Sequence, residues 1–110
     1  MPKRDKPAWS GCPIRYASGL FGDKWSLLIL RDLLFKGRRY FGEFQEAGEG
    51  ISTNTLTDRL QKLQQGGLIV KQTDPAKASR VIYTLSEKGL SLMPVMLAMI
   101  DWSATHDPET

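Results

Sequence analysis

Apolar residues recur along this chain first with a helical rhythm, then with an alternating one, then again with a helical one. Behind Cys12-Pro13, the residues Ile14, Ala17 and Phe21 share one helical face. Pro13 suits the first turn of that helix and Gly22 a left-handed stop. Asp23 is placed to cap a second helix, in which Trp25, Leu27, Leu28, Ile29, Leu30, Leu33, Leu34 and Phe35 point around nearly the whole axis, the mark of a central core helix. Gly37 ends it. Arg38-Arg39-Tyr40 then predicts a short extended segment before a third helix carrying Phe41, Phe44 and Ala47. After the turn Gly48-Glu49-Gly50, Ser52 supplies a capping hydroxyl, while Ile51 and Leu56 have the spacing of a hydrophobic staple. In the helix that follows, Leu56, Leu60 and Leu63 fall within a narrow arc at about 100° per residue. Asn54, Asp58, Gln61, Lys62 and Gln65 are left facing outward, and Gly66-Gly67 closes the helix.

From Leu68 the period shifts toward two. Leu68 and Val70 alternate with the positions on the Lys71 side, Asp74-Pro75 makes a turn, and Val81, Tyr83 and Leu85 alternate again, which predicts a β-hairpin from Leu68 to Leu85 with a polar tip. Ser86 can cap a last helix containing Leu90, Leu92, Met93, Val95, Met96, Leu97, Met99, Ile100 and Trp102. That helix is apolar around almost its full circumference, although a helix resting on its own domain needs only one buried stripe. A second surface is implied. Packed together with the first helix against the same pair from another copy, it would bury Ile14, Met93, Met96, Leu97, Ile100 and Trp102 in a homodimer interface. Pro94 removes one helical hydrogen bond and is expected to bend the helix around its partner. The organisation expected is a flexible arm over residues 1–11, one domain over 12–103, and a polar tail over 104–110 that contains His106.

The order helix, helix, short strand, helix, turn, helix, hairpin, helix is that of an α+β, mainly α, winged helix-turn-helix: a two-stranded β-wing with flanking dimerisation helices. In this architecture the helix starting near Ser52 enters the major groove and the wing lies along the adjoining backbone. Ser52, Thr53, Asn54, Thr55 and Thr57 offer short hydroxyls and an amide at a helix start, where backbone N–H groups also favour phosphate. Arg38, Arg39, Arg59 and Lys62 add positive charge, and Lys71, Lys77 and Arg80 place it on the wing. The plainer reading of each cation is surface solubility. Asp58 opposes phosphate, but can accept from cytosine or pair with Lys62 at helical spacing. Fifteen Lys and Arg against 12 Asp and Glu leave a formal charge of +3, which suits double-stranded DNA without demanding it. The alternative partner for such a fold is another protein, and the polarity of Asn54, Thr57, Gln61, Lys62 and Gln65 argues against a dry interface of that kind.

Other chemistry is sparse. A single cysteine, Cys12, has no partner for an internal disulfide and no companions for a zinc site. No phosphate-binding glycine loop, nucleophile elbow or acid–base pair is visible, so neither an enzyme nor a cofactor is expected. The stretch from Leu90 to Trp102 is too short and too interrupted to span a bilayer, and the charged, proline-containing first seven residues lack the apolar core of a secretory signal. A cytoplasmic location is the expectation.

Cys12-Pro13-Ile14, GDKWSLLILRDL over residues 22–33, RRYFGEF over 38–44, ISTNTLTDRLQKLQQGGLI over 51–69 and YTLSEKG over 83–89 together resemble the HxlR-type family of winged-helix regulators. The match covers nearly the whole domain in order. The resemblance implies a dimeric transcription factor on a palindromic operator, often a repressor or a regulator answering to redox state or a metabolite. Tyr40 stands where arginine is frequent in that family, and Ile82 where the third strand often has a polar residue, so contacts at those two positions do not carry over. Some relatives sense oxidants or electrophiles through a cysteine at the place of Cys12, which makes it the candidate redox sensor. Its position before a helix favours a thiolate, while an ordinary half-buried cysteine is the simpler reading. Met93, Met96 and Met99 could likewise adapt to a small ligand, but at helical spacing methionines more often fill a core or an interface.

Overall fold

The structure, a computed structural model, describes residues 11–37 and 39–110. The expected flexible arm thus lies, but for Gly11, outside the described residues, as does Arg38. Helix α1 spans Pro13–Phe21, with Cys12 as its N-cap residue and Pro13 in the first turn. Gly22 follows, and the expected left-handed stop is not what it provides: its φ is −75°. The reason for glycine is space, because a Cβ there would lie 2.7 Å from the Ser18 carbonyl oxygen. Helix α2 spans Lys24–Arg31 and is capped by Asp23 through the Ser26 N–H. Its last turn widens into a π-helical segment over Asp32–Lys36, which Gly37 ends in a left-handed conformation. Helix α3 occupies Phe41–Gln45, and α4 occupies Thr53–Gln65 with Ser52 as N-cap.

At the end of α4 the Leu68 N–H reaches back to the Leu63 carbonyl, and Gly67 takes the positive φ of 78° that this closure requires. Strands β1, Ile69–Asp74, and β2, Lys77–Leu85, form a two-stranded antiparallel sheet. Ile69 pairs with Leu85, Lys71 with Tyr83 and Thr73 with Val81, before the register slips to place Asp74 opposite Lys77. The expected extended segment at 38–40 contributes one bond to this sheet, from the Tyr83 N–H to the Arg39 carbonyl.

The single last helix expected from Ser86 onward is in fact two. A short α5, Glu87–Leu90, is capped by Ser86, and α6 spans Met93–His106. Pro94 therefore sits in the first turn of α6 and not within a longer helix. There its missing N–H would have had no intrahelical partner, so it starts the helix instead of bending it. Helix α6 also continues through Ser103–His106, into the stretch expected to be a polar tail, and the Trp102 and His106 rings lie 4.6 Å apart one turn from each other.

The core joins Ile29 and Leu30 of α2, Phe44 of α3, Leu56, Leu60 and Leu63 of α4, Leu68, Ile69, Tyr83, Leu92 and Met96. Ile51 packs on it, as a staple with Leu56 requires. The ring of Tyr83 meets Phe44 edge-on at 6.2 Å, which seats the sheet on the helix-turn-helix. Gly89 is buried where α5 crosses the base of β1, so close that a Cβ would run into the Leu68 carbonyl oxygen. That carbonyl already accepts from the Ser86 N–H, so the backbone there has no freedom to withdraw.

Candidate nucleic-acid interface

The start of α4 is built by local hydrogen bonds. The Thr55 N–H donates to Ser52 Oγ at 3.1 Å, and the Ser52 hydroxyl donates to Thr55 Oγ1 at 2.9 Å. Gln45 Nε2, at the end of α3, donates to Thr53 Oγ1 at 2.8 Å, tying the two helices of the turn together through their polar ends. Ser52, Thr53, Asn54 and Thr57 are exposed, Thr55 is half-buried, and the leucine stripe behind them is buried. Lys62, Gln61 and Gln65 continue the exposed polar face along α4.

Arg59 is placed differently. It is half-buried and turned toward α2, where Nε donates to Asp23 Oδ2 at 2.8 Å, with Asp58 on its other side. Asp58 is thus engaged by Arg59, the neighbour in sequence, and not by the Lys62 that helical spacing suggested. Burial pushes the Asp23 carboxyl up, but hydrogen bonds from the Ser26 side chain, Arg59 and the Ser26 N–H outweigh it and hold the pKa at about 2. The cap of α2 and the flank of α4 are joined by this one carboxylate.

A second cluster joins the wing to the start of α3. Glu43 reaches back to accept from the N–H groups of Arg39, at 2.8 Å, and Tyr40, at 2.9 Å, and these bonds lower its pKa. The Tyr40 hydroxyl donates to Asp74 Oδ2 at 2.6 Å, while the Arg80 guanidinium lies 3.7 Å above the Tyr40 ring centroid. The hydrogen bond from Tyr40 is the leading cause that lowers the Asp74 carboxyl and raises the Tyr40 phenol. Arg80, Lys77 and Lys71 are exposed on the hairpin, and Arg39 is exposed at its side.

Among the residues expected to meet DNA, the fold therefore brings together Ser52, Thr53, Asn54, Thr55 and Thr57, and separately Arg39 with Arg80. Sequence reasoning missed Asp23 as a partner for Arg59, and Tyr40 and Asp74 as holders of the wing. The Tyr40-x-x-Glu43 spacing was the available sign of an ordered α3 start. For the other two pairs, 36 and 34 residues apart, no local signal exists.

The residues expected at a homodimer interface lie on α1 and α6. Ile14 is 77% exposed, Trp102 66%, and Leu97 and Ile100 about half, although all four are apolar. Met93 is half-buried, and Met96, expected at the interface, is instead buried in the core of its own chain. Cys12 is half-buried at the start of α1. Among the described residues no group of acidic, His or Cys side chains could hold a metal ion, and no helix is long and apolar enough to cross a membrane.

A short helix and a longer one joined by a tight turn, followed by a two-stranded wing, define a winged helix-turn-helix domain. The model of the HxlR-like helix-turn-helix family matches residues 20–110. The chain belongs to that family. It is 43% identical over 88 residues to an HTH-type transcriptional regulator of Synechocystis, a stretch that takes in 80% of this chain but 64% of that protein. Among solved structures it is similar to PA1607, with a TM-score of 0.82 and 35% identity over 89% of this chain and 67% of the other. It is also similar to the redox regulator HypR in its oxidised form, with a TM-score of 0.75 and 26% identity over 86% of this chain and 97% of that one. The names these relatives carry are those of regulators, not enzymes.

Proposed function

We propose that this chain is a sequence-specific DNA-binding regulator that acts in the cytoplasm as a homodimer on a palindromic operator. The observation that carries the reading is the start of α4: a polar surface of Ser52, Thr53, Asn54 and Thr57 held rigid by its own hydrogen bonds above a buried leucine stripe. Asn54 and the threonines read base edges, while Arg38, Arg39, Lys62, Lys77 and Arg80 meet phosphates. Arg59 serves by holding α4 against Asp23. The dimer supplies the second α4, and the apolar residues left uncovered on α1 and α6 supply the dimer.

The test is to select genomic fragments bound by the protein and then measure affinity against salt. Binding should weaken steeply, with a slope of about 0.9 per phosphate contacted, and the selected sites should be two-fold symmetric. Binding that is indifferent to salt sinks the reading. A regulatory signal acting at Cys12 has support in the likeness to HypR, a redox regulator by name. An oxidant should then change binding of a selected fragment by the wild-type protein and leave Cys12→Ser unaffected. An equal response of both proteins removes the cysteine from the reading.

A further inference from the structure

From Val70 to Val81 the hairpin is exposed at every position but one, and that one is a carboxylate, Asp74, only 5% exposed. No apolar side chain in this stretch is buried against the body of the protein, so burial of hydrocarbon does not fix where the tip points. A two-stranded ribbon has marginal stability of its own and bends readily. What does reach it is Tyr40. Its hydroxyl donates to Asp74 at the end of β1, and its ring carries Arg80 of β2. Asp74 in turn accepts from the Ala76 N–H at 2.9 Å, so the same carboxylate that anchors the hairpin also shapes its turn. Tyr40 itself is fixed, since its N–H is held by Glu43 and its residue is the N-cap of α3.

We propose that Tyr40 is the positioning residue of the wing: it grips one residue of each strand and so sets the angle at which Arg80 and Lys77 approach the nucleic acid. The inference rests on the DNA-binding reading above, and it concerns how the wing is held, not which partner it meets. A guanidinium held over a ring face by attraction to the ring need not spend its N–H donors there, so the contact with Tyr40 places Arg80 while leaving donors for an oxygen acceptor. At this position an arginine could not accept a cation above it, nor donate to Asp74 through a rigid ring, so the chain's tyrosine makes a connection of its own kind.

The experiment compares Tyr40→Phe, which deletes only the hydroxyl, with Arg80→Ala, using a DNA fragment selected by the wild-type protein. Tyr40→Phe should speed dissociation by about three- to tenfold and quicken amide exchange at residues 74–80 alone. Its salt slope should match the wild type, because no phosphate contact is lost, whereas Arg80→Ala should lower the slope by about one. The double variant of Tyr40→Phe with Asp74→Ala should dissociate no faster than Asp74→Ala alone, since removing the carboxylate already leaves the Tyr40 hydroxyl without its acceptor. Wild-type dissociation and exchange in Tyr40→Phe would overturn the proposal. So would a slope reduced by one, which would make the hydroxyl a phosphate contact, or exchange quickened throughout the domain, which would make it a general structural support. If the wild-type protein selects no DNA, the reading beneath falls and this role with it, whatever the exchange shows.

Discussion

Helices α4 and α6 are nearly equal in length, 13 and 14 residues, yet they divide their surfaces in opposite ways. Helix α4 buries Leu56, Leu60 and Leu63 in one stripe and shows water only polar residues and ends of residues. Helix α6 buries Met96 alone and leaves Val95, Leu97, Met99, Ile100 and Trp102 outside. The first helix is finished within its protomer, and what it offers outward can only be a polar contact. The second has the composition of a core helix and the exposure of a surface helix, a combination that is stable in water chiefly when something apolar covers it. The same chain thus presents one polar face and one apolar face, the two that the proposed DNA contact and the proposed dimer would use.

The contrast can be broken most severely from the inside. Leu60→Ala should cost the protomer about 2–5 kcal/mol in urea unfolding, since the stripe it belongs to has no slack, while Ile100→Ala should cost the isolated protomer well under about 1 kcal/mol. Comparable losses for the two would mean that α6 is as internal as α4. At the outer face the order reverses. Ile100→Glu should leave the protomer folded but shift sedimentation at micromolar concentration from dimer to monomer, and weaken binding to a two-fold site on the order of 100-fold. A dimer that survives this substitution would place the interface elsewhere.

The smallest effect concerns what holds α4 in place. Asp23 has a pKa of about 2 in the folded chain against an ordinary 3.8, so its pairing stabilises the fold fully above pH 3.8 and the contribution fades as pH falls through about 2. With the pair partly open to solvent, Arg59→Ala should cost only about 1 kcal/mol near pH 6. That difference from the wild type should shrink below about pH 4, and a gap independent of pH would assign Arg59 to packing instead.

Much of α4 and the wing could be read from the sequence because their signals are local. The Ser52 cap, the Ile51–Leu56 staple, the leucine arc and the alternation from Leu68 to Leu85 each lie within a few residues of one another. The end of the chain was read less well for the opposite reason. Leu90, Leu92 and Met93 carry the apolar pattern on across the single polar Ser91, so nothing in the periodicity marked the break between α5 and α6, and Pro94 looked like an interior kink until the break made it a first-turn residue. In the candidate interface, Asn54 and the threonines could be identified by position, but a charge carries no label of direction. Arg59 has the same sequence credentials as Lys62, and only the meeting of α2 with α4 turns it inward to Asp23. Tyr40 was visible as a departure from its family and no more, because Asp74 and Arg80 reach it only after the hairpin folds back.

The seat of Gly89 on the Leu68 carbonyl has a metric consequence. It is the joint at which the body that would carry a twin departs from the body that would read DNA, and it leaves no room for a Cβ at residue 89. In the proposed dimer the two reading helices must straddle one turn of duplex, about 34 Å. A tilt of about 10° at this joint, acting over half of the 44 Å long dimension, would carry the far end roughly 4 Å, more than one base-pair step. The absent methyl group of a single residue would then act like the locked hinge of a pair of callipers, fixing the spacing of half-sites that the protein can measure.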